Sequence, residues 1–294
     1  MNQHGPLDPV IRADRLDGAL RDYAATELRT AIACLAWHGP RLHEGVHQAR
    51  KSLRRTRSVL ALAGPTLGPG AALIDRECRS INRRLSTLRD AQALVSTLDH
   101  LIGREEAAES LLVLRRVRRI AARARAEHAR LARAGDPDLA GARALLMTLL
   151  AALLSLPWQT LTDAGVGQAL QHSVERAEDA GRRAQTSSRA SDWHRWRRRA
   201  RRVSQQYRAL GDFIEHAGGV KKRSKVLAVL LGEAQDYALL RECSRRGSMF
   251  AEPDRKVLRA LGASGMQHLR ERIAASAGAT KPAVDETGAE PTPN

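Results

Sequence analysis

Two cationic strings, each led by a histidine, concentrate the chemistry of this chain. The first is His47-Gln48-Ala49-Arg50-Lys51-Ser52-Leu53-Arg54-Arg55, and the second is His194-Arg195-Trp196-Arg197-Arg198-Arg199-Ala200-Arg201-Arg202. At a shift of 147 residues the histidine and four basic residues superimpose. Arginine offers a planar fork of N–H donors that takes two oxygens at once, so rows of this kind suit phosphate. On a helical wheel His47, Arg50, Lys51 and Arg54 share one face, with Arg57 at its edge. His194, Arg197, Arg198 and Arg201 repeat that face, and Arg208 extends it. Arg55 and Arg202 complete the two strings. Neighbouring cations should keep both histidines neutral, able to give a ring N–H to a phosphate oxygen.

A third row, Arg76, Arg79 and Arg83, stands one helical turn apart, and at a shift of 146 Lys222 and Lys225 fall on its first two members. The same shift places Leu85-Ser86-Thr87-Leu88-Arg89-Asp90 on Leu231-Gly232-Glu233-Ala234-Gln235-Asp236. Asp90 and Asp236 are read as supporting acids that orient arginines, because neither has a partner carboxylate for acid–base work. Like charges three or four residues apart on a helix repel by roughly 0.2–0.5 kcal/mol per pair. One such row reads equally well as a solvated face. A row that recurs with its histidine and its distal acid reads as a binding surface. The run Arg115-Arg116-Val117-Arg118-Arg119 has no counterpart and reads as solvated surface.

His43-Glu44-Gly45-Val46-His47 also has the H-E-x-x-H spacing of helical zinc peptidases, in which two histidines on one face hold the metal and the glutamate acts as base. The second copy has Ala190 and Ser191 in place of His43 and Glu44, four cations follow within eight residues, and no third ligand is evident. No nucleophile–base arrangement, glycine-rich phosphate loop or carboxylate pair is present either. The expectation is a binding protein without catalysis, metal or cofactor.

The whole chain shares the cationic bias. Its 294 residues carry 49 Lys and Arg against 32 Asp and Glu, a formal net charge of +17 that attracts polyanions with strong salt dependence. Hydrophobic residues are 43 %, enough for a core, but aromatics are only 3 %. That shortage disfavours a sheet-rich fold and a platform for stacking bases. A nucleic-acid or nucleoid binder is the alternative that charge alone supports. Cys34, Cys78 and Cys243 make no paired motif, as suits a reducing compartment, so a cytoplasmic location is expected. The first nine residues hold no apolar signal core. The longest apolar run, 144–156, ends at Pro157 and is too short to span a bilayer, so no membrane span is expected.

Helices must position these rows. Hydrophobic periodicity predicts them over 14–37, 42–63, 73–102, 105–134, 138–156, 163–184, 191–216, 221–246 and 253–275. Ser191 or Asp192 is the expected cap of the seventh. Gly-Pro and Gly-Gly breaks separate them, and no segment alternates as a strand. The fold class is therefore all-α, an internally duplicated set of antiparallel helical bundles. A flexible lead-in occupies 1–12, a first bundle repeat 13–137, a second 138–275, and a disordered tail 276–294. Leu42, Val46, Ala49, Leu53 and Leu60 form the packing stripe of the first string. Trp193, Trp196, Ala200 and Tyr207 repeat all but its first member.

These motifs resemble the CHAD family, the conserved histidine alpha-helical domain. Val46-His47-x-x-Arg50-x-x-x-Arg54-Arg55 fits its first element, and Leu231-Gly232-x-x-Gln235-Asp236 with Leu85-x-x-x-Arg89-Asp90 fits its second. The likeness covers about residues 10–275, and internal duplication is itself a family trait. The sequence departs from the family pattern at Ser86, where Gly is preferred, and at Ser204 and Gln205, where Arg and Tyr are frequent. The resemblance implies two similar bundles facing each other across a basic central cavity. It also implies binding of inorganic polyphosphate and residence on polyphosphate granules, with His47, Arg50, Arg54, Arg55, Arg76, Arg79, His194, Arg197, Arg201, Arg202, Lys222 and Lys225 as candidate ligands.

Overall fold

The computed structural model describes residues 16–187, 189–214 and 218–278. The expected lead-in and nearly all of the expected tail lie outside them. Among the described residues there are ten α-helices and no β-strand.

The helix bearing the first string, α2 (Leu42–Ala63), pairs with α1 (Leu16–Leu35), and the helix bearing the second, α8 (Ala190–Leu210), pairs with α7 (Asp163–Thr186). The predicted stripe drives this. Leu42, Val46, Ala49, Leu53 and Leu60 are buried on α2, as are Trp196, Ala200 and Tyr207 on α8, while Trp193 is half-buried. Equivalent glycines stop both helices. Gly64 has φ 58° and Gly211, 147 residues on, has φ 54°, a left-handed geometry that strains any residue with a Cβ.

A different glycine lets α2 lie close to α1. A Cβ on Gly45 would collide with the Cys34 carbonyl oxygen and crowd the Trp37 side chain at 3.1 Å. Glycine has poor helix propensity, but at this position in the first turn of α2 packing requires it.

The helix predicted over 73–102 is two helices, α3 (Gly68–Arg84) and α4 (Ser86–Ile102). At the junction Ser86 Oγ donates to the Arg83 carbonyl at 2.5 Å, and the Arg89 N–H reaches the Leu85 carbonyl at a stretched 3.3 Å. A hydroxyl bonded back to the preceding turn bends a helix. At the equivalent position α9 (Gly218–Cys243) has Gly232, which has no hydroxyl, and runs unbroken.

The rest of the array follows this duplication. α5 (Ala108–Gly135) packs on α4, and α10 (Glu252–Gly278) packs on α9. α6 (Ala140–Leu154) packs back on α1 and α3. α8 starts at Ala190 without a side-chain cap, because Asp192 instead accepts from Ser187 Oγ at 2.7 Å.

The main core is continuous across α1, α2, α3, α6, α7 and α8, so the two repeats share it through the contact of α2 with α8. One smaller core joins α4 and α5 to α9 and α10, and another joins α9 and α10 to α7 and α8. The stretch Gly39–Arg84 passes as a membrane span by length and composition, with an 18-residue window of mean hydropathy 1.2. Here it comprises two helices parted at Gly64-Pro65, and its apolar side is part of the main core.

Candidate anion-binding site

α2 and α8 meet at equivalent residues. Ser58 Oγ donates to Gln205 Oε1 at 2.8 Å, and these positions are 147 residues apart. Gln206, wholly buried, donates through Nε2 to the Ser58 carbonyl at 3.4 Å. A residue meets its own equivalent where a rotation axis passes close to it, so this crossing lies near the axis that relates the two repeats, the pseudo-dyad of a paired duplication.

Arg54 and Arg201, also equivalent, lie near that axis within electrostatic reach of each other. Burial first, then Arg201, Arg50, Arg197 and Arg89, lowers Arg54 to about 9. Burial and then Arg201 lower Arg197 to about 10, with Asp236 opposing. Arg50 and Arg201 shift in the same direction, again with burial leading. Arginine does not give up its proton in a protein, so these depressions measure electrostatic stress.

Three donors of the same cluster lack hydrogen-bond partners. The Nε atoms of Arg50, Arg54 and Arg197 are buried with no partner within the protein. Leaving a buried donor unmatched costs about 1–3 kcal/mol, and more when it is charged. Arg50 does bond elsewhere, through Nη1 to the Asn82 carbonyl.

Two acids oppose the cluster, one from each repeat. Burial pushes the Asp236 carboxyl up while Arg89, Arg197 and Arg201 pull it down. Asp90 exerts on Arg50 the pull that Asp236 exerts on Arg197. Two carboxylates thus face Arg50, Arg54, Arg89, Arg197 and Arg201. Both histidines are held below 6.5. For His47 burial leads, followed by Arg89; for His194 burial leads, opposed by its hydrogen bond between Nδ1 and Gln235 Oε1 at 3.2 Å.

A cavity of about 1100 Å³ opens along the cluster. Its walls include Arg50, Arg54 and Arg57 from α2 and Arg79 from α3. α8 adds His194, Arg197, Arg198, Arg201 and Arg202. His47 and Arg89 line a separate cavity of about 750 Å³ instead. His43 and Glu44 share that smaller cavity, but among the described residues no group of three or more His, Cys, Asp or Glu side chains is placed to hold a metal ion.

Not every expected ligand joins the cluster. Arg55 is paired with Glu27 at 2.9 Å, both nearly buried. Lys51 lies beside Arg55 and Arg208, and burial followed by those two cations lowers its ammonium. Arg57 and Arg79 share Asp75, at 2.8 and 3.0 Å. Arg76, Arg83, Lys222 and Lys225 are exposed and line neither large cavity. Arg116 and Arg118 of the basic run are paired with Asp254 and Asp99.

Arg89, which is not among the ligands expected from the sequence, touches both repeats electrostatically. It stood in view inside the second motif, but its partner position holds Gln235, so duplication did not mark it. His172 and Arg176 of α7, with Arg195 and Arg199 of α8, also line the large cavity. Gln48 and Ser52 occupy the first-string positions of that last pair, so the comparison of copies hid them too.

Fold and site together define an all-helical, internally duplicated protein with a half-buried cationic centre. The family model for the CHAD domain matches residues 16–245, and the chain belongs to that family. The structure is similar to the crystal structure of the CHAD domain from the plant Ricinus communis, with TM-score 0.65 and 21 % identity, over 95 % of this chain and 98 % of that one. It is also similar to PptA from Streptomyces chartreusis, with TM-score 0.61 and 18 % identity, over 89 % and 99 %. At these identities the likeness concerns the fold. No curated protein matches the chain.

Proposed function

We propose that this protein binds inorganic polyphosphate in the cleft between its repeats, as a non-catalytic component of cytoplasmic polyphosphate granules. The observation that carries the reading is the half-buried cluster of Arg50, Arg54, Arg197 and Arg201. Three of its Nε donors lack a partner, and only Asp90 and Asp236 supply counter-charge. A chain bearing a negative charge on every unit supplies both missing elements at once. Membership of the CHAD family supports the same ligand. Nucleic acid is a poorer fit, because the tryptophans are committed internally. Trp196 is buried, and Trp193 sits 5.5 Å from it with the Arg270 guanidinium 5.2 Å from its ring.

The test is a titration with polyphosphate, at two salt concentrations, with duplex and single-stranded DNA as competitors. The reading expects polyphosphate to hold against a mass excess of DNA, with log affinity falling linearly in log salt. Ready displacement by DNA would sink it. Recruitment to granules is checked by imaging a fluorescent fusion in cells that make polyphosphate.

A further inference from the structure

The pseudo-dyad relates the α7 side of the site to the α1 side, and the two sides are lined by different residues. The large cavity runs out from the central arginines between α2 and α7, where Ala169 and Ser173 line it. The buried faces of α1 and α7 superimpose at a shift of 146, with Leu20, Ala24 and Ala31 falling on Val166, Leu170 and Ala177. In that register α1 places Tyr23 and Glu27 where α7 has Ala169 and Ser173. Glu27 neutralises Arg55 there. Arg202, the equivalent of Arg55, lines the large cavity and feels Asp75, an acid already engaged by Arg57 and Arg79.

The α7 side carries cations at positions where the α1 side has uncharged residues. Arg176, Arg195 and Arg199 line it, whereas their equivalents are Thr30, Gln48 and Ser52. Arg199 is fixed over α7 by donating through Nη1 to the Arg176 carbonyl at 2.7 Å. Burial, then Arg176, Arg195 and Arg183, lowers it, with Asp179 opposing. Glu175 also lines this stretch, and Gln171 donates to it at 3.1 Å.

We infer that the groove between α2, α7 and α8 is a one-sided extension arm for long linear polyphosphate. Arg176, Arg195 and Arg199 grip the part of the chain that projects beyond the central arginines. This rests on the polyphosphate reading and adds to it a direction and a dependence on chain length. A short oligophosphate fills the central cluster and gains nothing from the arm. A long chain leaves the centre on the α7 side, where these three cations lie; the equivalent positions on the α1 side hold Thr30, Gln48 and Ser52, and Arg55 there is already paired with Glu27.

The test compares tripolyphosphate with long-chain polyphosphate on the full chain carrying Arg176→Gln, Arg195→Gln and Arg199→Gln. Long-chain affinity should drop at least about tenfold and its salt slope should shrink by about 2, at ~0.7 per lost contact. Tripolyphosphate affinity should change by less than about twofold, within the scatter expected of surface changes. A charge-matched control, Arg29→Gln with Arg104→Gln and Arg123→Gln, should leave the preference for long chains intact. Circular dichroism confirms that each variant is helical. Equal losses for both ligands, no loss for either, or the same loss in the control would overturn the arm. If the unsubstituted protein binds neither ligand, the polyphosphate reading itself has failed and the arm falls with it.

Discussion

The two repeats place equivalent histidines at the ends of equivalent rows, yet give them different partners. His47 has Arg89 nearby, a cation that pushes it further toward neutrality, whereas His194 has Gln235, whose oxygen supports the charged form. The helices that deliver those partners differ as well, broken at Leu85 in one copy and continuous through Leu231 in the other. A duplicated scaffold has kept the arginines on its axis and let the residues around them diverge. What stayed alike marks the part of the site that both halves share; what diverged marks how each half finishes it.

The strongest way to break this comparison is at the axis. Arg54→Gln combined with Arg201→Gln should lower polyphosphate affinity by at least about a hundredfold in a calorimetric titration, since each charge-assisted contact is worth ~1.5–3 kcal/mol. Thermal stability in the absence of polyphosphate should hold or rise, because the substitution relieves the mutual depression of these guanidiniums. A fall in stability with unchanged binding would mean that the pair serves folding alone.

A second contrast separates packing from binding. Gly45→Ala should cost about 1–3 kcal/mol of stability in a denaturant melt through overpacking against the end of α1. Its equivalent in the second string is Asp192, whose replacement by Ala loses a hydrogen bond to Ser187 and a favourable charge in the first turn. That change should cost only about 0.5–1.5 kcal/mol.

Making the halves more alike should narrow the difference between their histidines. Arg89→Gln gives His47 the environment of His194 and removes a cation seen by both repeats. Polyphosphate affinity should fall roughly tenfold, equivalent to about 1.4 kcal/mol, and the His47 titration followed by NMR should move upward while His194 stays.

The smallest effect is that of pH. Both histidines are held below 6.5 in the folded protein. The unfolded chain therefore takes up protons first, and stability without ligand should decline as pH drops from about 7 toward 5. A bound polyanion favours the imidazolium, so polyphosphate affinity should rise a few-fold over the same interval. Asp236 runs opposite to the histidines, since its raised carboxyl favours the folded state as it protonates, but at lower pH. Melting curves with and without polyphosphate at both ends of that window check the sign.

Much of this was legible in the residues. Periodicity fixed α2 because its apolar stripe is clean and glycine and proline mark both borders. The duplication was legible through the histidine-led strings, and with it Arg50, Arg54, Arg197 and Arg201. The break at Leu85 was hidden because one serine hydroxyl decides it, without disturbing the hydrophobic pattern. The fate of Arg55 was hidden because its neutralising partner, Glu27, comes from another helix. Arg76, Arg83, Lys222 and Lys225 illustrate the converse: shared spacing puts them on one face of a helix but does not say whether that face meets the cleft. Arg195 and Arg199 were missed because a reading based on repetition cannot see what only one copy has.

The hydrogen bond between Ser58 and Gln205 has one more consequence. At the dyad itself the pairs Arg50/Arg197 and Arg54/Arg201 present the same groups to a chain running in either sense, so this centre cannot tell head from tail. Polyphosphate has no head or tail, because its backbone reads identically in both senses. A single nucleic-acid strand, with its fixed 5′-to-3′ sense, could satisfy only one half of such a palindromic cradle at a time.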